Sequence, residues 1–416
     1  MAVSANADKK HKHIFGLHPN VFFLGIVSFF QDVSSEMMYT LLPLFLVTLK
    51  VTTPMIGFIA GFTEGTDAVF RVFSGWFSDR IRNRKYLTVL GYTIPTLAKP
   101  FMYWASNWPS VLAIRFSDRV GKGIRSSPRD ALIADSSPAN ERGKSFGVHR
   151  AMDSAGAFVG LGIAAAIVYA LEKTGMELTI PTYQTLVLAA LIPAVLGVLV
   201  LLALVHEPTT RTAQNNTRPR LSLRGMTDGF DSRFKIFLVI MIIFTLGNSS
   251  DFFIILRAQN LGSSVFTITL MLVLFNIVYT LVSSPAGVLS DKIGRRRIII
   301  IGWSIYSLVY LGFAVTSSTS SIWQVWTLFA IYGIYYGMVE GVGRAFVADL
   351  VPPEKRGIAY GLYQSAIGFS LLAASVIAGG LWQVISPAAP FYFGASMAFL
   401  AMLGIWTLVK EKPRAY

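Results

Sequence analysis

Cysteine is absent from the 416 residues, and only 14% of them are charged. The first absence excludes a disulfide framework and any thiolate metal site, although it leaves the cellular compartment undecided. The low charge accompanies 53% hydrophobic residues and a mean hydropathy of +0.56, which is too apolar for an ordinary soluble chain of this length. The composition therefore predicts a membrane protein.

Three stretches lack aspartate, glutamate, lysine and arginine altogether: residues 258–290, 298–339 and 357–409. Each is longer than the roughly 20 residues that one transmembrane helix needs, so each must contain a turn. The alternation typical of membrane β-strands is missing, and helices satisfy their own backbone hydrogen bonds in lipid. We therefore predict an all-α polytopic membrane protein with 12 transmembrane helices. The predicted spans are residues 20–49, 54–78, 86–107, 110–136, 143–171, 181–206, 233–260, 264–290, 297–316, 321–350, 356–385 and 388–410.

The net charge of +14 is distributed unevenly between the two sides of these spans. Outside the membrane, only Lys50 and Lys173 fall on one side, and every other basic residue falls on the opposite side. The positive-inside rule then places both termini in the cytoplasm, as expected for a multi-pass protein of a bacterial inner membrane. This distribution explains the excess charge, so no nucleic-acid partner is expected.

Two motifs occur twice. The pattern of residues 75–80 recurs at 287–292, 212 positions later, and that of residues 135–143 recurs at 349–357, 214 positions later. Nearly equal offsets indicate two copies of a six-helix unit, with a substrate path between them. The predicted bundles are residues 20–206 and 233–410, with a cytoplasmic linker at 207–232 and cytoplasmic tails at 1–19 and 411–416.

The repeated motif and its spacing resemble those of the major facilitator superfamily, and the resemblance covers nearly all of the chain. The loop signature of that family is matched in the second half by Gly287, Asp291, Lys292, Gly294, Arg295 and Arg296. The first half matches at Gly75, Asp79, Arg80 and Arg84, but has Arg82 and Asn83 in place of a glycine and a basic residue. The resemblance implies two pseudo-symmetric bundles, and a signature aspartate that locks them on the cytoplasmic side until the protein opens inward.

The fourth span is strongly charged. Its cationic stripe consists of Arg115, Arg119, Lys122 and Arg129, which lie within roughly 80° on a helix, and Asp118 and Arg125 flank it. Such charges must face protein or water rather than lipid. The proton-coupled exporters of the resembled family carry an arginine at the position of Arg115. The stripe either attracts an anionic solute or is neutralised by buried acids, and the sequence leaves both possibilities open.

Acids at membrane depth are candidates for proton coupling. Asp32 and Glu36 lie on one helix face, where mutual repulsion and burial disfavour ionising both, so we expect one to bind a proton near neutral pH. Glu64 has no partner on its own helix, whereas Asp67 and Arg71 are expected to neutralise each other. The proton-coupling candidates are Asp32, Glu36, Glu64 and Asp153.

The remaining charges at membrane depth are candidates for lining the substrate cavity. Arg150 is expected to pair with Asp153 along the fifth span. The cavity candidates beyond the fourth span are Arg150, Asp251, Arg257, Glu340 and Arg344.

These features predict a secondary transporter that moves a small organic solute by alternating access, with the proton as coupling ion and no other cofactor. The resemblance favours export, as in drug–proton antiporters. Uptake of an organic anion or metal chelate and lipid flipping are the alternatives. We expect no resident metal site and no enzymatic activity, because no nucleophile–base motif or phosphate loop is found. The expected partners are the solute, which can be anionic, and the bilayer, and the protein is expected to function as a monomer.

The signature aspartate provides a first test. Asp291→Asn removes the charge expected to lock the two bundles, so it should slow the transport cycle and leave ligand selectivity unchanged. Transport rates and a competition panel measured in proteoliposomes check both expectations. Altered selectivity would contradict a gating role for Asp291.

Overall fold

The computed structural model describes residues 14, 17–80, 84–137, 142–172, 175–207, 230–319, 321–352 and 356–409. Nearly all of them are helical, which confirms the predicted all-α class. The first half contains α1 (Pro19–Tyr39), α2 (Leu42–Thr48), α3 (Thr53–Arg80), α4 (Arg84–Ala98), a 3₁₀ segment (Lys99–Trp104), α5 (Trp108–Asp135), α6 (Arg142–Glu172) and α7 (Ile180–Leu204). The second half contains α8 (Ser232–Gly247), α9 (Phe252–Asn260), α10 (Val265–Ile293), α11 (Arg295–Val315), α12 (Ile322–Leu350), α13 (Arg356–Val384) and α14 (Ala389–Leu408).

Each predicted span corresponds to one helix or to one consecutive pair of helical segments. Within the described ranges, nine segments are long and apolar enough to cross a membrane. The other three predicted spans correspond to α3, to α4 with the 3₁₀ segment, and to α5. The predicted bundle boundaries remain a prediction, since most of the linker lies outside the described residues.

The first span of each half is broken at a similar place. In the first half, α1 ends at Tyr39 and α2 begins at Leu42, where Pro43 occupies the first turn and provides no backbone donor. In the second half, α8 ends at Gly247 and α9 begins at Phe252. The predicted spans 20–49 and 233–260 run through both breaks. The first break lies in an apolar stretch, whereas the second contains the polar residues 248–251 (NSSD), which favour a turn over a continuous helix.

One signature glycine has a direct structural explanation. Gly294 joins α10 to α11 with φ = 99°, a conformation that side chains with a Cβ rarely adopt. The tight turn allows α11 to start at Arg295, directly beside the end of α10. The corresponding connection of the first half, residues 81–83, lies outside the described part of the chain.

The two halves meet along α3 with α13 and along α6 with α10. The first seam is closely packed, because a Cβ added at Gly57 would lie 2.2 Å from the Ser375 carbonyl oxygen. A Cβ at Gly61 would lie 2.7 Å from Leu372 Cα. Small residues allow the backbones of membrane helices to approach in this way.

At one end of the molecule the halves also contact each other through their loops. The Val265 amide donates to the Gly175 carbonyl at 3.1 Å, and Gln259 Nε2 donates to the Met176 carbonyl at 3.0 Å. We call this end the closed face. The opposite end carries both repeated motifs, and we call it the basic face. If the basic face is cytoplasmic, as the positive-inside rule predicts, this arrangement corresponds to an inward-facing state.

The glycine seam yields a second prediction. Gly61→Val should force α3 and α13 apart, destabilise the fold by about 1–3 kcal/mol and weaken closure of the closed face. Thermal unfolding measures the first effect. Cross-linking of a Met176→Cys/Gln259→Cys pair measures the second on a background free of native cysteine.

The matched control is Gly162→Val on α6, where an added Cβ meets nothing within 4 Å. Equal cross-linking yields for Gly61→Val and this control would show that the seam does not hold the closed face.

Candidate functional site

Most cations of the stripe on α5 have carboxylate partners. Arg119 forms an ion pair with Glu64 of α3. Arg115 Nη1 lies 3.4 Å from Asp118 Oδ2, and Arg129 Nη2 lies 2.9 Å from Asp130 Oδ1. Of the two possibilities left open by the sequence, these ion pairs match neutralisation by acids, and the pair of Arg115 with Asp118 is the buried one of the three.

Aromatic rings complete the surroundings of two buried guanidinium groups. Arg115 Cζ lies 4.0 Å from the centre of the Tyr39 ring, and Arg125 Cζ lies 4.3 Å from that of Tyr92. Cation–π contacts of this kind offset part of the cost of removing a guanidinium group from water. These side chains therefore face the first bundle rather than lipid, as predicted from their charge.

Lys99 was not among the candidates, although it lies in the same network. Its side chain is fully buried, and Nζ donates to Ser34 Oγ at 2.7 Å and to Ser35 Oγ at 3.2 Å. These serines belong to α1, one turn before its break. A sequence signal for this residue does exist: it is a lysine inside the predicted span 86–107 with no acid within four positions, so its partner must lie on another helix.

The acids of α1 are less constrained than the arginines of α5. Glu36 Oε2 accepts a hydrogen bond from Thr40 Oγ1 at 2.6 Å. Four charged residues act on Asp32 electrostatically. The strongest effect comes from Asp153, followed by Arg125, Lys122 and Glu36. In the described ranges neither Asp32 nor Glu36 has a basic nitrogen within 4 Å, so neither carboxylate is held in an ion pair.

Asp251 is a further acid at the interface of the halves. It lies at the break between α8 and α9, and its carboxylate accepts from Tyr332 Oη at 2.7 Å and from Tyr336 Oη at 3.3 Å. Glu64 and Glu36 of the first half repel the negative charge of the Asp251 carboxylate. The structure therefore brings three predicted acids from two bundles into one electrostatic neighbourhood.

A cavity of about 450 Å³ lies between the halves and extends to the basic face. At this cavity the side chain of Arg150, on α6, contacts two residues of the second half. Arg150 Nη2 lies 3.3 Å from Glu340 Oε1 and 3.1 Å from Tyr279 Oη. The expected pairing of Arg150 with Asp153 is therefore wrong. Glu340 and Tyr279 offer Arg150 two oxygens, whereas Asp153 Oδ2 lies 3.6 Å from His149 Nδ1.

Arg344 also lines this cavity, whereas Arg257 is not among its lining residues. Arg257 is 7% exposed, and its guanidinium group donates to the carbonyls of Phe313 at 3.1 Å and Thr316 at 2.8 Å. Carbonyls in the last turn of a helix lack intrahelical partners, and Arg257 supplies donors for α11. Its placement in the substrate cavity is therefore corrected to a structural role.

The predicted gating residues form related ion pairs in both halves. Arg84, at the start of α4, pairs with Asp135 at the end of α5. Arg295, at the start of α11, pairs with Asp349 of α12, with Nε 2.7 Å from Oδ2, and lies 3.5 Å from Asp291 Oδ1.

The other predicted gating residues differ in their surroundings. Arg296 Nε donates to the Ile405 carbonyl at 3.0 Å, and Lys292 is exposed. The side chains of Arg71, Gly75, Asp79 and Arg80 lie outside the described residues, so the expected Asp67–Arg71 pair and the first-half signature stay predictions.

Comparison with known proteins gives results of two kinds. The family model described as Major Facilitator Superfamily matches residues 24–256 and 236–416. A transporter of this type from Methanocaldococcus jannaschii, itself uncharacterised, is 35% identical over 404 residues, which are 96% of this chain and 97% of the relative. The quinolone resistance protein NorA of Staphylococcus aureus is 26% identical over 157 residues, covering 38% of this chain and 39% of NorA.

Solved structures of low sequence identity have the same fold. A nucleoside transporter matches 94% of this chain and 100% of its own with a TM-score of 0.78 and 16% identity. A D-xylose–proton symporter matches 94% of this chain and 97% of its own with a TM-score of 0.71 and 16% identity. These matches confirm the predicted fold class of two pseudo-symmetric helical bundles.

The corrected role of Arg257 gives a third prediction. Arg257→Met keeps the side-chain length but removes the donors to α11, so it should lower the free energy of unfolding by about 2 kcal/mol or more. Solute selectivity should stay unchanged. Thermal unfolding and a ligand competition panel check the two effects, with Arg297→Met on the exposed basic face as the control. Normal stability with altered selectivity would restore Arg257 to the cavity.

Proposed function

We propose that this chain, which belongs to the major facilitator superfamily, exports a small organic solute in exchange for protons. The observation that carries the proposal is the contrast between the two kinds of charge at membrane depth. Arg115, Arg119 and Arg129 are each paired with an acid. Asp32, Glu36 and Asp251 have no ion pair among the described residues.

A carboxylate that no cation holds in its charged form can bind and release a proton as its access to water changes. Glu36 and Asp251 belong to opposite halves, and each lies next to a helix break. Protonation in one half therefore changes the electrostatic interaction with the other half. Alternating access requires a link of this kind between proton binding and the relative position of the bundles.

The direction of transport is proposed from two further considerations. NorA, by its name, is associated with resistance to a drug, and expelling a compound is one way for a transporter to confer resistance. The alternative of anion uptake relied on free arginines along α5, and three of these arginines are already paired with carboxylates. Proton coupling in the D-xylose–proton symporter is compatible with the fold in either direction.

A fourth prediction tests the coupling. Glu36→Gln should abolish proton exchange driven by solute while leaving solute binding largely intact, because glutamine keeps the hydrogen-bonding shape but has no titratable group. Proteoliposomes containing a pH-sensitive dye and an outwardly directed proton gradient measure the exchange. The added solute is a quinolone that raises the Tm of the purified protein in a thermal-shift assay.

Asp251→Asn should behave like Glu36→Gln, and Glu177→Gln, an exposed acid on the closed face, serves as the matched control. An unchanged pH profile in both interface variants would refute the assignment of coupling to these acids. Entry of proton and solute together would replace antiport by symport.

A further inference from the structure

The cavity at the basic face contains two arginines that share one carboxylate. Arg150 Nη2 and Arg344 Nη2 each lie 3.3 Å from the same oxygen, Glu340 Oε1. The two nitrogens are therefore separated by at most twice that distance. Arg150 comes from α6 of the first half and Arg344 from α12 of the second half, so the pair spans the interface between the bundles.

The charge of this pair is only partly balanced. The second oxygen of Glu340 accepts a hydrogen bond from Tyr279 Oη at 2.6 Å, so the carboxylate is shared among three donors. The third arginine of the cavity, Arg295, differs in having two acids of its own, Asp349 and Asp291. Asp153, one turn along α6 from Arg150, also acts on the Arg150 charge, but its carboxylate lies beside His149.

Both arginines are accessible from the cavity. The side chain of Arg150 is 59% exposed and that of Arg344 is 50% exposed, whereas that of Arg295 is only 20% exposed. Gly287 and Gly341 also line the cavity, and a Cβ added at either would meet nothing within 4 Å. There is room in front of the guanidinium groups for a tetrahedral anion.

We propose that Arg150 and Arg344 bind a phosphate-type anion that bridges the two halves at the basic face. Guanidinium groups present paired donors that match phosphate oxygens, and ion pairs as exposed as those with Glu340 contribute little stability. An incoming phosphate therefore competes well with Glu340. The site is separate from the acids proposed to carry protons, so it can be tested independently of the transport direction.

The anion has two possible sources with the same chemistry. Basic pockets between transmembrane helices on the cytoplasmic side bind anionic lipid headgroups. Exposed apolar side chains lie close by in the chain to residues of the cavity, namely Phe146 on α6, one turn before Arg150, and Val288 on α10, next to Gly287. Acyl chains can pack there while the headgroup enters the cavity. The other source is a free phosphate-bearing anion in solution.

The test uses the full-length protein and two probes. Inorganic phosphate is titrated at constant ionic strength, and phosphatidylglycerol is introduced into phosphatidylcholine nanodiscs. Thermal unfolding reports binding, because a ligand of the folded state raises the Tm. In Arg150→Gln and in Arg344→Gln, the apparent affinity should fall about tenfold or more.

Two further variants make the test specific. Glu340→Gln removes the competing carboxylate and should bind the anion more tightly. Arg297→Gln, an exposed arginine of the basic face outside the cavity, should respond like the wild type. A response to phosphatidylglycerol alone supports the lipid source, and a response to phosphate as well supports the free anion. Equal responses of the wild type and both arginine variants, or weaker binding by Glu340→Gln, would overturn the proposal.

Discussion

Pairing of charges at membrane depth is the constraint on which this structure depends. An isolated guanidinium group or carboxylate in the hydrocarbon region is costly, and the cost is avoided by a partner, by an aromatic face or by water. α5 carries the largest number of such groups and uses the first two means. Arg119 reaches Glu64 on α3, and Arg115 combines an ion pair with the ring of Tyr39. The first bundle therefore encloses a network of charged and aromatic side chains within an otherwise apolar core.

The charges at membrane depth therefore fall into two groups. Some are held in ion pairs, and others have no ionic partner and remain available to bind a proton. An arginine with a buried acid keeps its partner, because breaking the pair leaves an uncompensated charge. The acids next to the helix breaks are not fixed in this way. Glu36 is held by one threonine hydroxyl, and Asp251 by two tyrosine hydroxyls. Hydroxyl groups can stay hydrogen-bonded to a carboxyl group in either protonation state, since they can donate to it or accept from it.

Charge-free runs and repeated motifs predicted most of the fold from sequence. Helix number and order follow from the length of apolar segments, and the two halves follow from the offset between motifs. The sequence did not reveal which charges meet, because partners in a bundle are distant in the chain. Arg150 bonds to Glu340, 190 positions away, rather than to Asp153 on its own helix. Arg257 was misplaced for the same reason, since the carbonyls that it satisfies belong to another helix.

The two copies of the loop signature show how far a repeated motif determines structure. In the second half, Gly294 permits a one-residue connection, and Arg295 can reach Asp349 at once. The first half has Asn83 at the position equivalent to Arg295, yet the equivalent aspartate, Asp135, still has a partner, because Arg84 supplies the guanidinium group. The ion pair is therefore present in both halves although the residue that provides it differs. The aspartate at this helix end is thus paired with a guanidinium group in both halves, supplied by either of two adjacent positions of the loop signature.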